Sequence, residues 1–252
     1  MKLHPVTART GLLWVREGIK TFWRQPLAMS GLFFLFMALV SLLSALPLVG
    51  TAVALALLPA ATLGLMSAAR EASEGKFPMP TVLASAFRAG KARLTAMLQL
   101  GACYAAGFLL VMGISALFDG GQFAQMYLGG GNVTPETVQS EAFQTAMLVG
   151  MALYLPLALM FWHAPALVHW HGVSPIKSLF FSFMACWQNK WAMLVYLLGW
   201  LGVFVFGGMV VSLIAGLMGG AVMQVVLYPA ALLMAAMFFT SFYFTFRDSF
   251  AE

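Results

Sequence analysis

His163, His169 and His171 form the one local cluster of metal-competent side chains, in the run Trp162-His163-Ala164-Pro165-Ala166-Leu167-Val168-His169-Trp170-His171. A structural zinc or haem site needs its ligands brought to one point, usually with cysteine or carboxylate support. Pro165 interrupts helical spacing between the first two histidines, and no carboxylate or cysteine pair lies nearby. The ligand set is incomplete, so neither a metal nor a cofactor is expected. Imidazoles beside indoles instead suit the end of a membrane span, where a side chain buries its ring and keeps its polar tip wet. The two cysteines, Cys103 and Cys186, fall at different expected depths and are not expected to pair.

Other chemistry is excluded by what the apolar runs lack. No Asp, Glu, Lys, Arg or His interrupts them except at their edges, whereas proton-coupled transport and most intramembrane hydrolysis need an ionisable group at depth. There is no phosphate-binding glycine loop followed by Lys-Ser or Lys-Thr, no His-Glu-x-x-His and no Gly-x-Ser-x-Gly. No catalytic residue is assigned, and the chain is not expected to be an enzyme.

Backbone chemistry is a further candidate. Pro59, Pro156 and Pro229 each free a carbonyl one turn upstream, which can bind an ion, be satisfied by a neighbouring helix, or simply accompany a kink that aids packing. Ser41, Ser44, Gln99, Tyr104, Ser115, Gln224, Thr240 and Ser241 can line a narrow cavity or bond across helices. Gly216 and Gly220 stand at GxxxG spacing, a pattern that lets helices approach closely and that arises readily by chance among 24 glycines.

The elements that position these residues follow from composition. The chain is 62% hydrophobic and 8% charged, far from the roughly 25% charged residues of soluble domains. The apolar run from Leu27 to Ala69 is too long for one helix, and Leu46-Pro47-Leu48-Val49-Gly50 supplies a turn. Thr134-Pro135-Glu136 opens a helix expected to run on into the fourth span. Gly216-Leu217-Met218-Gly219-Gly220 divides the last run. The reading is a single integral membrane domain over residues 1–252 with spans at about 27–46, 49–69, 94–118, 143–162, 191–215 and 221–246, each near the ~20 residues a bilayer requires. The first run is longer than the apolar region of a secretion signal and follows a long basic segment, so it is expected to be retained.

With six spans, all thirteen Lys and Arg fall on one side. The opposite loops carry only Asp119, Glu136 and Glu141 as charges. By the positive-inside rule both termini are cytoplasmic. Each pair of spans follows a segment mixing aromatic with basic or amide side chains, and its second span carries a proline, which reads as a three-fold pseudo-repeat. The first such segment sets Leu12, Val15, Ile19, Phe22 and Trp23 against Arg9, Arg16, Lys20 and Arg24, the pattern of an amphipathic helix in the headgroup layer. Segments from Thr81 to Arg93 and from Pro175 to Lys190 repeat the theme. Six of the seven tryptophans, at positions 14, 23, 162, 170, 187 and 191, are expected at that boundary, with Trp200 in mid-span. The fold class is thus all-α: a polytopic bundle of six transmembrane helices with cytoplasmic interfacial amphipathic helices.

Four short motifs carry a family likeness: Gly18-Ile19-Lys20-Thr21-Phe22-Trp23-Arg24-Gln25-Pro26, Leu46-Pro47-Leu48-Val49-Gly50, Ala164-Pro165-Ala166-Leu167-Val168 and Ser182-Phe183-Met184-Ala185-Cys186-Trp187-Gln188-Asn189. Through them the chain resembles a group of six-span bacterial membrane proteins of uncharacterised activity, similar in pattern to the polytopic domain that precedes some glycerophosphodiester phosphodiesterases. The phosphodiesterase catalytic domain has no counterpart here, so no active-site residue transfers. The resemblance implies a multi-pass protein of the bacterial inner membrane.

The expected function is a non-enzymatic scaffold or accessory module that engages lipid or a partner protein at its basic cytoplasmic face. Arg16, Lys20, Arg24, Arg88, Lys91 and Arg93 are its candidate lipid-facing surface, with anionic membrane lipids as partners. A membrane-protein partner, or self-association through Gly216 and Gly220, is the second expected contact, and no nucleic acid is expected. The alternative is a transporter or channel for a small solute or ion, with a pathway between the pseudo-repeats near Pro59, Pro156 and Pro229.

Overall fold

The computed structural model describes residues 2–46, 49–128, 134–218 and 220–251, the side chains at 218, 220–224 and 251 excepted. A short strand β1 (Lys2–Leu3) precedes α1 (Thr10–Arg24), α2 (Pro26–Ser44) and α3 (Gly50–Ser73). A 3-10 turn over Pro80–Ala84 leads to the one-turn α4 (Ser85–Arg88), then α5 (Lys91–Asp119), α6 (Gln122–Leu128), α7 (Pro135–Gln139) and α8 (Glu141–Phe161). The chain continues through α9 (Ala164–His171), α10 (Pro175–Gln188), α11 (Lys190–Met218), α12 (Gly220–Ser249) and β2 (Phe250–Ala251). The architecture is all-α but for a terminal antiparallel pairing of Lys2 with Ala251 and Leu3 with Phe250. Among the described residues, six helical stretches are long and apolar enough to cross a membrane: Pro26–Ser44, Gly50–Ser73, Lys91–Asp119, Glu141–His171, Lys190–Leu217 and Val225–Ser249. The turn assigned to Pro47 and Leu48, and the boundary residue Gly219, lie outside the described residues.

Two local expectations are revised. Thr134 caps α7 through Thr137 N–H, with Pro135 in the first turn, but the helix stops at Ser140. Ser140 takes an extended conformation (ψ 141°) and its hydroxyl accepts from Phe143 N–H, so it caps a new helix. A second capping side chain that competes with the backbone ladder explains the break. The segment expected to be an interfacial helix from Thr81 to Arg93 is instead a 3-10 turn and a single α-turn. Gly90, at φ +92°, then reorients the chain, so that Lys91 and Arg93 belong to the first turn of α5.

The chain forms two compact units. The first comprises the residues up to Ala38, Ala61–Arg88 and the residues from Met184 onward. Its core joins α1, the first half of α2 and the N-terminal part of α11 to the C-terminal half of α12, through Trp14, Phe22, Phe33, Tyr196, Trp200 and Phe244. The aromatic cluster of Phe33, Phe36, Phe238, Phe239 and Phe242 is part of it, its rings 5.0–6.1 Å apart. Asn189 ties both chain ends to this unit. Its Oδ1 accepts from Val6 N–H at 2.8 Å, and its Nδ2 donates to His4 O at 3.1 Å and Ser249 Oγ at 3.3 Å.

The second unit comprises Leu39–Ala60 and Ala89–Phe183. There α5 packs on α8, and at Gly101 it approaches α3, where a Cβ would fall 2.0 Å from Ala56 O, so only glycine permits that approach. Asp119 ends α5 and opens α6, accepting from Gly121 N–H at 2.8 Å and Phe123 N–H at 2.6 Å. The step between α8 and α9 is closed by Ser182. Its hydroxyl donates to Leu159 O at 2.8 Å and accepts from His163 N–H at 2.9 Å. It therefore stands where the direct helical bond from His163 N–H to Leu159 O would run.

Candidate functional site

The first helix has two usable faces, and they do different things. Arg16, Lys20 and Arg24 are exposed along one stripe, as their spacing predicts. The stripe buried within the protein is Gly11, Trp14, Val15, Gly18, Thr21 and Phe22, which shares Val15 and Phe22 with the expected apolar stripe, while Leu12 and Trp23 are exposed. Glycine makes the difference. A Cβ at Gly11 would meet Ala192 O at 2.2 Å, and one at Gly18 would meet Ser241 Cβ at 2.4 Å, so α1 lies with its backbone directly against α11 and α12. Along α1, Gly11 faces Ala192 and Tyr196, and Leu12 and Val15 face Gly199. The helix therefore runs beside α11 in the same direction rather than crossing it.

Trp14 is the main correction to the expected aromatic boundary. It is fully buried (0% exposed), its indole N–H donates to Asp248 Oδ2 at 2.9 Å, and its ring meets Tyr196 edge-on at 5.9 Å. Tyr196 Oη in turn lies 2.7 Å from Ser241 Oγ. Trp23, Trp187 and Trp191 are exposed, whereas Trp162 and Trp170 are half-buried. Burial of Trp14 was legible in principle, since it lies on the same helical face as Gly11 and Gly18.

Arg16 and Lys20 border a groove of about 550 Å³ completed by Leu12, Val15, Ile19, Gly199 and Val203. Lys20 Nζ stands 3.9 Å from Glu17 Oε1, both solvent-accessible. Among the described residues Arg16 has no ion-pair partner. The groove is basic along one margin and apolar along its floor.

The remaining basic candidates divide between capping and exposure. Arg24 Nη1 donates to Ser73 O at 2.9 Å, the last residue of α3. Arg93 Nη1 donates to His169 O near the C-terminus of α9. Each guanidinium thus sits where a helix dipole favours a cation, while remaining exposed. Arg88 and Lys91 are exposed, on α4 and the start of α5. Arg16, Lys20, Arg24 and Arg88 belong to the first unit, Lys91 and Arg93 to the second. Beside Arg24, Glu74 accepts from Lys76 Nζ at 2.7 Å and Arg70 Nε at 3.3 Å. The Lys76 ammonium in particular holds the Glu74 carboxyl below its ordinary range, and Glu74 raises Lys76 in return.

Among the prolines, Pro59 is buried inside α3, whereas Pro156 in α8 and Pro229 in α12 are exposed. Gly216 is exposed with open space beside its Cα. The surroundings of Gly220 lie outside the described residues. His163 is fully buried, while His169 and His171 are half-buried. Among the described residues no three His, Cys, Asp or Glu side chains are grouped to hold a metal. Cys186 is buried in α10, and that burial pushes its thiol up to about 12.

Six apolar helices and a basic margin on a tightly docked amphipathic helix define an integral, multi-pass membrane protein. The chain is 41% identical, over an alignment of 257 positions, to a probable inner membrane protein of Burkholderia thailandensis, an alignment that takes in 99% of this chain and 94% of that protein. The chain belongs to the same family as that protein. No family model matches it, and no solved structure matches it.

Proposed function

We propose that the protein is a non-enzymatic module of the bacterial inner membrane, with both termini in the cytoplasm, that engages anionic lipid headgroups at the basic end of its helices. The observation that carries this reading is α1 itself. Arg16, Lys20 and Arg24 recur at i, i+4 and i+8 on its exposed side, while the opposite side is held backbone-to-backbone by Gly11 and Gly18. Such a stripe is presented in a fixed register, so little ordering is needed when it meets a charged surface. Each Lys or Arg near an anionic leaflet contributes about 1 kcal/mol. The segregation of all thirteen basic residues to one side of six spans supports the orientation.

The Burkholderia relative is named for the inner membrane, which supports the same location here. The test is thermal unfolding of the protein in nanodiscs of phosphatidylcholine alone or mixed with phosphatidylglycerol. The midpoint should rise in the anionic discs, and the rise should shrink in a variant carrying R16E, K20E and R24E. Equal midpoints for the wild type in both discs would count against the proposal.

A further inference from the structure

We infer that the groove between α1 and α11 is a site for one anionic phospholipid, its phosphate held by Arg16 and Lys20 and an acyl chain lying over Gly199 and Val203. The inference deepens the proposed function and rests on its reading of the basic end. The groove has the two-part chemistry of such a lipid: cations on one margin, and Leu12, Val15, Ile19, Gly199 and Val203 on the floor. Its volume of about 550 Å³ falls among small-molecule sites. Gly199 lets α1 pack closely at the floor of the groove, since a Cβ there would approach Val15 Cγ2 to 3.1 Å and Leu12 Cδ2 to 3.3 Å.

Depth along α11 argues for a lipid rather than a soluble phosphate. The helix has 29 residues, about 43 Å at 1.5 Å per residue, against a hydrocarbon layer of ~30 Å. Gly199 and Val203 lie within the stretch of α11, Lys190–Leu217, that is long and apolar enough to cross a membrane, so the floor of the groove belongs to a membrane span. Because α1 runs beside α11 in the same direction, Arg16 and Lys20 border that same apolar floor. Glu17, next to Lys20 at 3.9 Å, partly offsets the Lys20 charge, so the preference for an anionic lipid rests mainly on Arg16, which makes no ion pair among the described residues.

The experiment is native mass spectrometry of the full chain in detergent, titrated with dioleoyl phosphatidylglycerol, dioleoyl phosphatidylcholine or glycerol 3-phosphate. The wild type should retain one phosphatidylglycerol about tenfold more strongly than phosphatidylcholine, and should not retain glycerol 3-phosphate. Val203→Trp, which fills the apolar floor without touching a charge, and the R16Q/K20Q pair should each lower occupancy about fivefold or more. K177Q, which removes a cation on α10 away from the groove, should leave it unchanged, and far-UV circular dichroism confirms that each variant is folded. Undiminished single-lipid occupancy in Val203→Trp overturns the site while leaving the proposed function standing. Binding of glycerol 3-phosphate as strong as that of the lipid, or a dimer in place of the lipid adduct, also overturns it. If the wild type shows no preference between the two lipids here and none in nanodiscs, both readings fall.

Discussion

Ser182 shows how a single hydroxyl can decide a junction. It supplies both a donor for Leu159 O and an acceptor for His163 N–H, in a setting where no water competes. Ser182→Ala removes both of these bonds at once and should cost about 1–3 kcal/mol, read as a lower thermal midpoint in detergent. Ser182→Thr, which keeps the hydroxyl, should recover much of it. Glu74 gives the pH-dependent counterpart. Its carboxyl is held low by Lys76 and then Arg70, so the folded value lies below the unfolded one. The contribution is therefore present above the unfolded carboxylate value and lost as pH falls through the folded value. The effect is small because the cluster is exposed. NMR titration of the Glu74 side chain should show a midpoint below that of a free glutamate, and the shift should shrink in Lys76→Met, where Arg70 remains as a lowering partner. At this scale the sequence was only partly legible. The exposed stripe of Arg16, Lys20 and Arg24 follows from spacing, but spacing does not show that Arg24 and Arg93, while exposed, also donate to helix ends.

Among the elements, α1 departs furthest from the simple amphipathic reading. Of its expected apolar stripe, Val15 and Phe22 are buried and Leu12 and Trp23 are exposed, while the closest backbone approaches are at Gly11 and Gly18. Hydropathy averages miss this because glycine carries no apolar side chain, although it allows the closest backbone approach. Gly18→Val places a side chain within 2.4 Å of Ser241 Cβ and 2.9 Å of its Cα. Such overpacking should cost about 1–3 kcal/mol. It should also release α1, seen as faster hydrogen exchange over Thr10–Arg24 with α5 and α8 unaffected. Asn189 makes a similar link between distant segments. Asn189→Ala removes its bonds to Val6, His4 and Ser249, and exchange should quicken at both chain ends together. The breaks at Ser140 and Gly90 were readable only in part. Thr134-Pro135 announced one helix start, but a second cap six residues later and a glycine at φ +92° depend on tertiary context.

At the scale of the whole molecule, the six spans were legible because lipid imposes a simple rule: about 20 apolar residues and no unpaired charge. How those spans pack was not legible, since every face of such a helix is apolar and only local glycines and hydroxyls distinguish them. The one-sided distribution of Lys and Arg predicts that reporters fused to either end of the chain will be active only when they function in the cytoplasm, and a periplasmic signal from the C-terminal fusion would contradict the six-span orientation. The proposed selection of anionic lipid by the basic end is read from the lipid composition of native particles extracted without detergent, wild type against the R16E/K20E/R24E variant. Anionic lipid should be enriched over the surrounding membrane in the wild type and the enrichment lost in the variant; identical composition in both, matching the bulk membrane, would rule the selection out.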